Sequence, residues 1–202
     1  MKKIPQTASY LGAPLFTSRN RSRDFKFLQD RLEARLKGWR CKSLSWAGRS
    51  TLIKSVAQTL PNYTFASFDV PANIYDKLDA ASRRFWWNPK KDSGNYLTWK
   101  SWDKLCLPKS VGGLGFRKAK RVNDALLAKL TWMVLNNKDS VCMIALQSKY
   151  KVWNDWLHRD PPKNASSTWK AIERLKSLII KGAYYIVEDG AVIDIWKDPW
   201  VP

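Results

Sequence analysis

The chain has 202 residues, 45% of them hydrophobic, enough for one good core or two small ones and too apolar for a disordered segment. Its net charge of +19 is uneven: residues 1–60 carry 13 Lys and Arg against 3 Asp and Glu, residues 61–121 carry 12 against 5, and residues 122–202 carry 11 against 9. A polyanion is the expected partner of the first two thirds, and no apolar run is long enough for a transmembrane helix or a secretory signal.

Cys41, Cys106 and Cys142 are odd in number and far apart, and His158 is the only histidine, at a polar surface position. That is neither a disulfide framework nor a metal-ligand spacing, and it fits a reducing, intracellular compartment. Nucleus and mitochondrion both stay open. Arg19, Arg21 and Arg23 lie among serines with no acid before Asp24, which suits a presequence or, preferred here, a basic loop.

In chain order, Tyr10 to Phe16 reads as a short strand ending in that loop. Phe25, Leu28, Leu32, Leu36 and Trp39 place one apolar face on a helix from Asp24 to Lys37, with Gly38 as its stop. Ser45 is the N-cap of the next helix, which runs to about Gln58. Tyr63 to Val70 is aromatic and extended, and Pro71 opens a helix bearing Ile74, Leu78, Ala81 and Phe85. A polar loop, Asn88 to Asn95, leads to a short strand at Tyr96–Trp99 and a helical turn over Lys100–Leu105.

Gly112-Gly113-Leu114-Gly115 lacks the Gly-Lys-Ser/Thr of a P-loop, so it reads as a tight bend before it reads as a phosphate cradle. The helix from Lys118 to Leu135 shows Ala119, Val122, Leu126, Leu130 and Met133 on one side, with Asn123 beside them as a buried amide. A shorter helix covers Ser140 to Tyr150. Asp160 to Asn164 is the best linker. A helix over Ser167–Ile180 precedes a C-terminal β-hairpin, Ala183–Val187 and Val192–Trp196, turning at Asp189-Gly190.

The ordered motifs are more specific than any one of them. Tyr10-Leu11-Gly12, Gly38-Trp39, Leu44-Ser45-x-x-Gly48-Arg49-x-x-Leu52-Ile53-x-x-Val56, Phe85-Trp86-Trp87 and Trp99-x-x-Trp102 open the set. Cys106-x-Pro108-Lys109-x-x-Gly112-Gly113-Leu114-Gly115-Phe116-Arg117, Asn123-x-Ala125-Leu126-Leu127-Ala128-Lys129 and Ile195-Trp196-x-Asp198-Pro199-Trp200 complete it. The whole resembles plant non-LTR (LINE-type) retrotransposon reverse transcriptases, in the region just after the catalytic palm. From Leu60 onward it also resembles short uncharacterised plant mitochondrial reading frames.

The resemblance implies a mainly α fold. It suggests a palm remnant over 1–20, a thumb-like helical bundle over 21–110, connection helices over 111–160, and a linker, helix and hairpin over 161–202. A zinc-binding domain often follows in that family. Polymerase chemistry there needs two metals on carboxylates that include an Asp-Asp pair. This sequence has no Asp-Asp pair, so no catalysis is expected of it alone, unless a separate palm chain complements it in trans. No cofactor, small-molecule substrate or membrane is expected.

A thumb holds a template–primer by its backbone, so RNA, DNA or a hybrid is the implied partner and Arg31, Arg35, Lys37, Arg40, Lys42, Arg49 and Lys54 are the candidate contacts. Arg49 is ambiguous, because Leu52, Ile53 and Val56 share its face. A guanidinium there either pairs internally, the first choice, or meets an anion. Trp86, Trp99, Trp132 and Trp196 read as core anchors, and Trp39 and Trp46 as the better stacking candidates. A relic of a decayed element and a domesticated protein-interaction module are the rival readings.

Overall fold

The computed structural model describes residues 8–40, 42–91, 93–136, 140–152, 156, 159–160 and 162–182. The fold is mainly α-helical. Its contacts divide it into two compact units, Met1–Asn123 and Asp124–Pro202. Cys41, His158, Trp196 and the expected C-terminal hairpin lie outside the described residues.

The first unit opens differently from the expected single strand. Ser9–Tyr10 (β1) turns back on Ala13–Pro14 (β2) as a small antiparallel hairpin. Leu11 and Gly12 between them have φ of 49° and 78°, the doubly left-handed turn that suits two-residue hairpins. The Arg31 guanidinium lies over Gly12, where a Cβ would make it swing aside.

Asn20 caps a one-turn helix, Arg21–Asp24 (α1), its Oδ1 accepting from the Arg23 amide at 3.3 Å. Phe25 breaks the helix and is wholly buried, and Lys26–Arg40 (α2) follows. Leu28, Leu32 and Leu36 form the buried stripe that their spacing predicts. Gly38 does not stop this helix: packing overrides it, because Trp39 reaches the Phe85 ring at 5.7 Å.

Ser45 caps Trp46–Leu52 (α3) as expected, its Oγ accepting from the Gly48 amide at 3.2 Å. The helix then widens into a π-turn over Ile53–Ala57, where the Gln58 amide donates to the Ile53 carbonyl. Asn62–Ser67 (α4) is helical where an extended run was expected. The helical turn buries Thr64 and Phe65 while Tyr63 faces out, a division an extended chain would not make. Only Phe68 onward is extended.

Ala72–Trp87 (α5) packs on α2 and buries Ile74, Leu78, Phe85 and Trp86. No strand forms at Tyr96–Trp99. Trp99 is no core anchor either: it is 80% exposed, and the neighbouring Leu97 76%. Trp102–Leu105 (α6) leads into the glycine bend. There the amides of Gly113, Leu114 and Gly115 donate to the carbonyls of Pro108, Leu105 and Leu107. Those amides are committed internally, so the bend is no phosphate cradle. A Cβ on Gly113 would stand 1.9 Å from the Leu107 carbonyl oxygen.

Ala119–Leu135 (α7) runs from the first unit into the second. Its buried line is Ala119, Asn123, Leu127, Thr131 and Val134, one residue away from the apolar line that the sequence suggests. Two polar residues occupy that line because both are satisfied. Asn123 Oδ1 accepts from the Val70 amide and the Tyr75 hydroxyl, while Nδ2 donates to the Phe65 and Phe68 carbonyls. Thr131 Oγ1 donates to the Leu127 carbonyl at 3.0 Å. Trp132 consequently faces outward, 44% exposed, rather than into a core.

In the second unit Val141–Tyr150 (α8) and Ser167–Gly182 (α9) bring Met143, Trp169 and Ile172 together with Val134 and Trp156. Tyr150 stacks on Trp169 with ring centroids 4.1 Å apart. Lys176, only 6% exposed, donates to the Trp156 and Arg159 carbonyls and pairs with Glu173. No helix among the described residues is long and apolar enough to cross a membrane.

Candidate nucleic-acid interface

The seven predicted contact residues do not form one cluster. Arg31 and Arg35 are exposed on one flank of the buried stripe of α2, with the Arg31 guanidinium 5.2 Å from the Phe27 ring. Lys37 and Arg40 lie on the other flank and line a groove of about 620 Å³ between α2 and α5. Lys42 is exposed in the loop before α3. Lys54 is half-buried beside the glycine bend, 5.8 Å from the centre of the Phe116 ring.

Arg49 turns inward. Its Nε donates to the Leu44 carbonyl at 3.3 Å and a terminal nitrogen to the Trp86 carbonyl at 2.9 Å, with the guanidinium 4.2 Å from the Trp46 ring. Trp86 is in the last turn of α5, where helix carbonyls lack amide partners and a cation is favoured. Burial lowers the Arg49 pKa from its ordinary value, and the carbonyls supply the hydrogen bonds that a half-buried guanidinium needs.

The aromatic side chains mostly pack with one another. Trp46 meets Trp86 at 4.9 Å and Trp87 at 5.9 Å, and Trp86 meets Phe116 at 5.3 Å. Trp39 is half-buried against Phe85, whereas Trp46, although it touches two indoles and the Arg49 guanidinium, is still 50% exposed.

The groove recruits residues that the sequence reading passed over: Lys77, Arg83 and Arg84 from α5, and Tyr96 from the following loop. A signal existed, because Lys77 and Arg84 are seven apart and so share a helix face. With Lys37 and Arg40 they make five basic residues in the lining against two acids, Asp30 and Glu33. Arg40 has its pKa lowered by burial and then by the Arg84 charge, against an opposing pull from Glu33. Arg84 donates to the Gly94 carbonyl at 2.9 Å and lies 4.8 Å from the Tyr96 ring, and Arg83 Nε donates to the Tyr96 hydroxyl at 3.3 Å.

Among the described residues no three His, Cys, Asp or Glu side chains are grouped to hold a metal ion. Burial pushes the Cys106 thiol up to about 11, which makes it a poor nucleophile.

No family model and no solved structure matches the chain. It is 37% identical over 193 residues to an Arabidopsis thaliana protein named "Putative ribonuclease H protein". That alignment takes in 93% of the chain and 31% of the relative, so the chain spans less than a third of that protein's length. A second Arabidopsis thaliana protein, named an uncharacterised mitochondrial protein, is 29% identical over 143 residues, 70% of the chain and 92% of the relative. The chain is thus similar to a plant protein with a ribonuclease H name and to a short plant mitochondrial one, and neither name mentions a reverse transcriptase.

Proposed function

We propose that this chain derives from a plant non-LTR retroelement and corresponds to the thumb and connection that follow a reverse-transcriptase palm. In this reading it grips the backbone of RNA, DNA or a hybrid without reading sequence. The observation that carries the reading is the charge division. The first 121 residues hold 25 basic against 8 acidic side chains, while the remainder is nearly balanced. Such an excess favours a phosphate track through release of its counterions.

Both relatives' names are in keeping with a retroelement source, one for its ribonuclease H and one for its short plant mitochondrial frame. We assign no polymerase step to this chain, because its sequence lacks the adjacent aspartates on which two-metal chemistry in that family rests. Residues 21–110 are taken as the thumb and 111–160 as the connection.

The test titrates the full chain against labelled single-stranded, duplex and hybrid oligonucleotides over a salt series. Log affinity is expected to fall linearly with log salt concentration on every backbone. Absence of salt-sensitive binding to all three refutes the reading.

A further inference from the structure

The groove between α2 and α5 has a geometry that a general positive surface does not. Arg40 and Arg84 come from different helices, yet each lies in the field of the other. At about 620 Å³ the groove is within the range of small-ligand sites and can admit a nucleotide-sized group.

The loop over this groove is tied down by the same arginines. Arg83 holds the Tyr96 hydroxyl, and Arg84 holds the Gly94 carbonyl and lies against the Tyr96 ring. Three residues further on, Trp99 is 80% exposed and is followed by the exposed Lys100. Three residues of chain reach at most about 11 Å, so the indole is held near the groove. An exposed indole on a tethered, basic loop has an apolar face with no use inside the protein.

We propose that the groove seats phosphates of a single-stranded polynucleotide through Lys37, Arg40, Lys77 and Arg84, while Trp99 stacks on a neighbouring unpaired base. This rests on the nucleic-acid reading above and narrows it to one face and one kind of strand. A duplex keeps its base faces inside its own stack, so only a single strand offers one to Trp99.

The experiment measures binding of the full chain to a labelled single strand of about 15 nucleotides and to the matching duplex, by fluorescence anisotropy. Trp99→Ala is expected to weaken single-strand binding by about 5- to 100-fold and to leave duplex binding unchanged. Lys77→Glu is expected to weaken single-strand binding more than Lys170→Glu, a reversal of the same size at an exposed position of the second unit. Both lysines are exposed, so these two variants test the groove even if Trp99→Ala fails to fold.

If the wild-type chain binds nothing, the general reading fails and this one with it. If it binds but Lys77→Glu and Lys170→Glu are equivalent, only the groove is overturned. An unchanged single-strand affinity in folded Trp99→Ala overturns the stacking and leaves that indole to a protein contact.

Discussion

Replacing Asn123 by leucine takes a hydrogen-bond partner from four polar groups. Asn123 is wholly buried; the Val70 amide donates to its Oδ1 at 3.1 Å, and its Nδ2 donates to the Phe65 and Phe68 carbonyls at 2.6 and 2.9 Å. The Tyr75 hydroxyl is the fourth partner. Each buried group left without a partner costs about 1–3 kcal/mol, although water can reach the half-buried Phe68 region and the added apolar surface offsets some of the loss. A net destabilisation of about 4 kcal/mol is expected, a large part of the 5–15 kcal/mol typical of a domain.

Urea titration followed by circular dichroism measures this. With a denaturant slope near 2 kcal/mol/M, the midpoint of the unit that contains Asn123 falls by about 2 M. Asn123→Asp separates hydrogen bonding from packing. It keeps the acceptor for Val70 and Tyr75 but turns an oxygen toward two carbonyls, an arrangement that favours the protonated acid. Its folded pKa is therefore raised, so its stability relative to wild type is greatest in acid and is lost as pH rises through that value. A leucine variant within about 1 kcal/mol of wild type, or an aspartate variant with no pH dependence relative to wild type, would refute the account.

Asp79 accepts from the Ala119 amide at the start of α7, and burial raises its pKa from 3.8 to about 6. The folded state therefore holds this proton more tightly than the unfolded one. Stability from this group grows by up to about 3 kcal/mol as pH falls from 6 to 4 and is lost as pH rises again. Asp79→Asn should flatten the difference between urea midpoints at about pH 7.5 and pH 4.5, and an unchanged difference refutes it. Arg49→Lys keeps the charge but cannot serve the Leu44 and Trp86 carbonyls and the Trp46 face together. We expect a loss of about 1–2 kcal/mol in thermal or urea unfolding and a salt slope of binding equal to that of wild type. A slope lower by about one in the charge-removing Arg49→Gln, with stability intact, would make Arg49 a phosphate contact instead.

What was legible in the sequence was the part that depends on neighbours within a turn or two. The stripe Leu28, Leu32, Leu36 on α2, the Ser45 cap and the bounds of α7 and α8 to within a residue follow from local spacing and agree with the structure. The misreadings share one cause: a distant partner reversed a local preference. Gly38 stays helical because Trp39 packs on Phe85, and α4 forms because a helical turn buries Phe65 against Tyr75, whose rings lie 5.8 Å apart. The buried amide of Asn123 agrees with the sequence, but the apolar line around it is shifted by one residue because the distant Phe65 and Phe68 carbonyls that hold Asn123 set which face of α7 turns inward.

The same asymmetry governs the basic residues, and more severely. An apolar side chain stabilises wherever it is buried, so periodicity alone ranks it. A guanidinium stabilises or destabilises according to what it faces, and that partner can come from anywhere in the chain. Arg49 and Arg40 lie nine residues apart in one basic stretch, yet Arg49 ends on the Trp86 carbonyl and Arg40 in the field of Arg84. Both fates are decided by the last turns of α5, more than thirty residues downstream. The count of charges therefore raises the expectation of a polyanion partner, but only the packing of α5 on α2 separates the arginine that closes the fold from the one that lines the groove.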